Sequence, residues 1–166
     1  GPIGDHGLAV MMQREGLDFD SPLASDCAAL HGLIASLLEA APGEVRCMRD
    51  PTRGGLATTL NEWAGRGAGI EIDEPAIPVR DEVRAVCEVL GLDPLYAANE
   101  GKVVAAVAPA AGERALAALR AHPLGRQAAI IGRVTVEHPG RVVLRTAFGA
   151  RRILGMLRGD QLPRIC

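Results

Sequence analysis

Helical and strand periodicities alternate irregularly along these 166 residues, and the fold class they predict is α+β: a layered sandwich in which packed helices cover a mixed β-sheet. Three observations carry that reading. The length suits one core that removes roughly 70% of the unfolded surface from water. Of the residues 48% are hydrophobic, yet the aromatics are only Phe19, Trp63, Tyr96 and Phe148, which leaves the core to Ala, Val, Leu and Ile. No internal repeat, low-complexity tract or linker splits the chain, so residues 1–158 are expected to form one domain and residues 159–166 a mobile tail.

Each element follows from local pattern. Leu8, Val10 and Met11 mark a short amphipathic start, and GLDFDSP is a loop. From Ser25 the apolar residues Leu30, Leu33, Ile34, Leu37 and Leu38 recur at the spacing of one helix face, which stops at Pro42-Gly43. Residues 45–48 predict a short strand running into DPTRGG. Leu56, Leu60, Trp63 and Ala64 resume helical spacing, with Gly67 placed to end the helix in a left-handed conformation. GIEID alternates as a strand, and PAIPV is an extended connector because neither proline donates to a ladder. Asp81 suits the N-cap of a helix carrying Val83, Val86, Cys87 and Leu90, and Gly91 closes it. Residues 103–108 are uniformly apolar, as in a strand buried on both faces. Residues 112–122 are helical, and 128–136 and 141–145 are strands with a hairpin expected around His138-Pro139-Gly140. Beyond Thr146 the pattern fades.

Composition excludes several function classes. Eighteen Lys and Arg against twenty Asp and Glu give a net charge of −2, against the basic excess of a nucleic-acid binder. No apolar run approaches the ~18 residues of a membrane span. The segment GPIGDHGLAVMM lacks the basic flank and apolar stretch of a secretory signal, which sets the expectation of a cytoplasmic protein. Cys27, Cys47, Cys87 and Cys166 are far apart, with no CxxC pair, so neither a metal site nor a disulfide framework is expected. The first three are expected to be small buried residues. A start at Gly1 that enters helical pattern with no preceding strand reads as a fragment.

Four segments can carry chemistry. Arg49-Asp50-Pro51-Thr52-Arg53-Gly54-Gly55 follows a strand and opens a helix. Gly54 and Gly55 let a ligand approach the backbone, the helix N-terminus offers N–H groups, and Arg53 adds a fork suited to phosphate. Asp50 can hold a cation or orient the arginine. On residues alone this is equally an ordinary capped turn. In Tyr96-Ala97-Ala98-Asn99-Glu100-Gly101-Lys102 a carboxylate stands just before a buried strand, where it can act as a base; a turn with a solvated glutamate fits the same residues. Gly4-Asp5-His6-Gly7 is a site loop or a helix cap. Cys166 ends the chain as a thiol on a tail whose last five residues, LPRIC, reach ~17 Å extended. Arg164, two residues before it, favours the thiolate.

Taken together, GPIGDHGLAVM, SDCAALHGLIASLLEA, MRDPTRGGLA, ANEGKVVAAV and the terminal LPRIC resemble the C-terminal domain of the HypE family of hydrogenase expression/formation proteins. The likeness covers essentially the whole chain, and PRIC at its end is the most specific part. It implies a fold like the C-terminal domain of aminoimidazole ribonucleotide synthetase (PurM-like). It also implies an ATP-dependent carbamoyl dehydratase, in which Cys166 receives a carbamoyl group from a HypF-like carbamoyltransferase. The thiocarbamate becomes a thiocyanate, whose cyanide passes to iron on a HypC–HypD complex during [NiFe]-hydrogenase maturation. On this resemblance Glu100 is the base, and Asp50, Thr52, Arg53, Gly54 and Gly55 face the nucleotide phosphates. Asn99, Asp5, His6 and Arg164 lie on the substrate side. ATP and Mg2+ would be held mostly by an N-terminal domain that has no counterpart in this chain, and that domain would also form the homodimer interface. By itself the fragment is then expected to be inactive. Two other readings use the same residues. A selenophosphate synthetase-like or thiamine-monophosphate kinase-like enzyme would share the Gly-rich loop without needing Cys166, and a non-catalytic module would use the tail for docking.

Overall fold

The computed structural model describes residues 1–16 and 22–157. Its helices are α1 (Asp5–Glu15), α2 (His31–Ala40), α3 (Gly55–Ala64), α4 (Asp81–Leu90) and α5 (Gly112–Ala121). The strands are β1 (Val45–Arg49), β2 (Gly69–Asp73), β3 (Val104–Val107), β4 (Gly132–Thr135), β5 (Val142–Arg145) and β6 (Arg151–Leu154). They form two sheets, an antiparallel β1–β3 pair and a mixed four-stranded sheet ordered β4-β2-β5-β6. The expected α+β class and layered arrangement hold.

Helix α3 covers one face of the four-stranded sheet. Leu56, Ala57, Leu60 and Ala64 on α3 meet Ile70 and Ile72 of β2, Val142 and Leu144 of β5 and Leu154 of β6, all buried. The alternation in GIEID turns its two isoleucines inward and leaves Glu71 and Asp73 on the outer face. A second cluster packs Leu8, Met11 and Met12 of α1 against Val83, Val86 and Cys87 of α4. A third joins Leu37 of α2 and Ala115 of α5, with Val45, Met48, Ala105 and Val107 packed against it from the β1–β3 pair.

The structure departs from sequence expectation at several elements. Helix α2 starts at His31 rather than Ser25. Residues 22–30 lack regular structure because Asp26 is drawn down by Lys102, and the Asp26 carbonyl packs directly on Gly101. Strands β4 and β5 do not form a hairpin: β2 lies between them, antiparallel to β4 and parallel to β5. The hairpin is β5–β6, closed by bonds between Thr146 and Ala150 and a left-handed Gly149, where the sequence pattern fades. Strand β3 is half-buried, since helices cover one side of a two-stranded sheet only. The 75–79 connector begins with a 3₁₀ turn at Glu74–Ala76, in which Pro75 sits where no N–H is needed. Asp81 is the first residue of α4, with Arg80 at the cap position, while Gly91 closes the helix as expected. Helix α3 ends at Ala64, and Gly67 takes its positive φ three residues later. Of the three described cysteines only Cys87 is buried; Cys47 is half-buried and Cys27 exposed.

Candidate functional site

The loop after β1 is built by its own hydrogen bonds. Thr52 Oγ1 donates to Asp50 Oδ2 at 2.7 Å, and this bond, helped by a backbone hydrogen bond and by the Arg49 charge, holds the exposed Asp50 carboxyl below its ordinary value. Gly54 and Gly55 both have positive φ, of 65° and 61°. Their lack of side chains serves the fold as well as any ligand: a Cβ on Gly55 would stand 2.6 Å from the Leu95 and Ala97 carbonyl oxygens. One on Gly54 would collide with Thr58. Helix α3 therefore starts pressed against residues 95–97, and no side chain caps its N-terminus.

Asn99 joins the two motifs from behind. Its side chain is fully buried and all its donors and its acceptor are engaged. Oδ1 accepts from Gly4 N–H at 2.8 Å, and Nδ2 donates to the Pro51 carbonyl at 3.1 Å and the Ala97 carbonyl at 2.8 Å. The Asn99 carbonyl in turn lies 3.1 Å from Thr52 Oγ1. One carboxamide thus ties the start of α1, the Gly-rich loop and the turn before β3 together, and the next residue, Glu100, is delivered to the face of that loop.

The result is a cleft of about 360 Å³ lined by Arg49, Asp50, Thr52, Arg53, Thr59 and Glu100. Its lining thus brings together two arginines, two acidic residues and two threonines. Arg49 is also paired with Glu62 of α3, and Thr59 Oγ1 donates to the Gly55 carbonyl. Such a lining suits an anionic ligand on the arginine side and proton removal by a carboxylate on the other.

Four of the site residues read from sequence, Asp50, Thr52, Arg53 and Glu100, line this cleft, and Gly54 and Gly55 form the start of the helix beside it. Three others do not line it. Asn99 is the buried tie just described. Asp5 is 1% exposed and lies 3.2 Å from Arg80 Nε, without hydrogen-bond alignment at either oxygen. His6 Nδ1 stands 2.7 Å from Ser25 Oγ. Burial and these partners explain the difference: Asp5, His6 and Gly7 form the first turn of α1, which meets the turn before Glu100 from behind, through the Gly4 N–H on Asn99 and the Gly7 N–H on the Ala98 carbonyl. Cys166, Arg164 and the tail from residue 159 lie outside the described residues. Arg49 and Thr59 enter the lining without having been singled out from sequence; Thr59 is four residues after Gly55, one helical turn along. As for metal ligands, Glu71, Glu137 and His138 bring ligand-type atoms within 4.8 Å of one another, but none of them lines the cleft. No helix among the described residues is long and apolar enough to cross a membrane.

Comparison with known proteins places this geometry in context. Residues 1–145 match the family described as AIR synthase related protein, C-terminal domain. A carbamoyl dehydratase HypE from Rhizobium leguminosarum bv. viciae is 56% identical over 167 residues, covering 100% of this chain and 48% of the relative. A crystal structure of hydrogenase maturation protein HypE in complex with ATP superposes with a TM-score of 0.91 at 49% identity, over 100% of this chain and 51% of the other. A HypE–HypF complex gives a TM-score of 0.90 at 44% identity, over 95% and 51%. The chain spans about half the length of the curated relatives it matches. With residues 1–145 of its 166 matched, the chain belongs to the AIR synthase related family, as its C-terminal domain.

Proposed function

We propose that this chain is the C-terminal part of an ATP-dependent carbamoyl dehydratase that makes a thiocyanate on Cys166. The observation that carries the reading is the cleft in which Glu100 faces the Arg49–Arg53 loop, in a chain similar to HypE proteins along its whole length. Cys166 begins as a thiocarbamate, R–S–C(=O)–NH2. The amide oxygen attacks the γ-phosphorus of ATP, ADP leaves, and one nitrogen proton is lost, giving R–S–C(=NH)–OPO3. Removal of the second nitrogen proton by Glu100 pushes out phosphate and leaves R–S–C≡N. Phosphorylation turns a poor leaving group into a good one. Arg53 lies where it can offset the charge on transferring phosphate, and Arg49 adds a second guanidinium beside it.

The other half of the longer protein would supply most ligands for ATP and Mg2+ and the homodimer contact. Mg2+ takes oxygen ligands, commonly one or two carboxylates with phosphate oxygens, and the ionised Asp50 at the cleft suits that set; when bound, the ion would neutralise phosphate charge. The partners in this reading are a HypF-like carbamoyltransferase as donor and a HypC–HypD complex as acceptor, all in the cytoplasm. The HypE–HypF complex among the similar structures supports the first.

The test is the mass of the C-terminal peptide of the full-length protein after incubation with the carbamoyl donor system and ATP. A carbamoyl group in place of the thiol hydrogen should appear on Cys166 and give way to a cyano group. Modification of another cysteine, or of none, refutes the proposal.

A further inference from the structure

Residues 22–30 form no helix or strand, yet the middle of this segment is held firmly over the turn that carries Glu100. Ser25 Oγ is 2.7 Å from His6 Nδ1. The Lys102 ammonium pairs with the Asp26 carboxylate, and each side chain is only 14% exposed. Gly101 lies so close beneath that a Cβ there would run into the Asp26 carbonyl and come within 3.2 Å of the Ala28 nitrogen. Lys102 Nζ also stands 3.4 Å from the Gly101 carbonyl. The buried Asp5 adds a second negative charge near Lys102, opposing the burial that pulls the ammonium's pKa down. Asp26 and Lys102 both sit next to cleft machinery without lining the cleft.

We propose that the buried Lys102–Asp26 pair is a positioning device for the candidate site, clamping residues 22–30 onto the Asn99–Gly101 turn so that the Glu100 carboxylate keeps its place at the cleft. Buried ion pairs are often no more stabilising than apolar residues of similar volume, so stability alone gives little reason to build one here. Geometry gives a better one. Asn99 anchors the turn on one side, and the clamp anchors it on the other, with Glu100 between them. A base displaced by about 1 Å costs on the order of 100-fold in rate. Lys102 and Asp26 act through Glu100 and are positioning residues.

The inference rests on the dehydratase reading, and its test separates the two. In full-length protein, Asp26→Asn with Lys102→Met removes both charges and leaves neither buried partner uncompensated by the other. Gly101→Ala keeps both charges and wedges a methyl under the Asp26 carbonyl. Both variants should accept the carbamoyl group on Cys166 as the wild type does, with an unchanged KM for ATP, while kcat for thiocyanate formation falls by about tenfold or more. Lys102→Arg, which conserves the charge, should recover most of the rate. An unchanged kcat in a folded variant of either kind overturns the clamp, as does a loss shared equally by carbamoylation and KM. If the double variant does not fold, Gly101→Ala decides. The Glu100 side-chain carboxyl resonance in 13C-labelled protein reads the same point without turnover: it should shift in the variants, and an unmoved resonance overturns the clamp even where wild type makes no thiocyanate. Failure of wild type to make thiocyanate refutes the dehydratase reading instead.

Discussion

Replacing Asn99 by Ala tests whether one buried carboxamide really holds the site together. The wild-type side chain is fully buried and makes three hydrogen bonds, to Gly4 N–H and to the Pro51 and Ala97 carbonyls. Each such bond contributes about 1 kcal/mol net, and leaving a buried partner unsatisfied costs about 1–3 kcal/mol. The Gly4 amide would lose its acceptor and two carbonyls their donor, so about 3 kcal/mol is the expected loss, with the upper end set by how much water enters. For a chain of this size urea m-values are about 2 kcal/mol/M, so the unfolding midpoint should fall by about 1.5 M. Urea titration followed by circular dichroism and by Trp63 fluorescence reads it. Trp63 packs against the α3–sheet core, so both signals should move together. A midpoint shift below about 0.5 M would mean that Asn99 is replaceable by solvent and does not join the motifs.

Other perturbations separate chemistry from scaffold. Glu100→Gln in the full-length protein keeps the shape of the cleft but removes the base, so thiocarbamate should accumulate on Cys166 while thiocyanate formation falls ~100 to 10,000-fold; normal conversion excludes Glu100. Cys166→Ser should abolish maturation in a hydrogenase assay, because a hydroxyl is far less nucleophilic at neutral pH than a thiol. Gly55→Ala forces a side chain toward the Leu95 and Ala97 carbonyls at a positive φ and should cost more than the ~1–2 kcal/mol of left-handed strain alone, whereas Gly43→Ala, also at positive φ but with nothing within 4 Å, should cost about that strain; melting temperatures compare the two. Burial pushes the Cys87 thiol to about 11, with the Asp93 charge adding to it. Its folded pKa is thus above that of the unfolded thiol, so stability should fall between about pH 9 and 11, where only the unfolded thiol ionises, and Cys87→Ala should flatten that slope in pH-dependent melts.

Local pattern made part of this fold legible. Helices α3 and α4 follow from apolar spacing, and β2 from the alternation in GIEID, because in each the buried face is written in consecutive residues. What the pattern does not hold is pairing. β2 enters between β4 and β5, setting Ile70 beside Val134 on one side and Val142 on the other, and nothing in residues 128–145 announces that intervening strand. β6 escaped notice because it is an edge strand with two arginines, of which only Leu154 turns fully into the core. The Gly-rich loop and Glu100 stood out by residue type, and the cleft unites them. Asn99 reads from sequence as a polar turn residue, which the family resemblance puts on the substrate side. Its saturation by Gly4, Pro51 and Ala97 depends on partners up to 95 positions away, which no local rule reports.

The cleft is therefore two-sided in a physical sense. Behind it, Asn99 and Gly55 hold three chain segments together through buried hydrogen bonds and a close backbone contact. In front, Asp50, Arg53 and Glu100 line the cleft. Partly exposed charges contribute little to folding, typically below about 1 kcal/mol per surface pair, while buried ties of the Asn99 kind contribute several times that. Substitution in front should consequently alter chemistry with little change in stability, and substitution behind should alter stability first and chemistry only through displacement. A carboxylate intended as a base gains from this division. Its own solvation stays open to adjustment by ligand, while its distance from the loop across the cleft is set by groups that water does not reach.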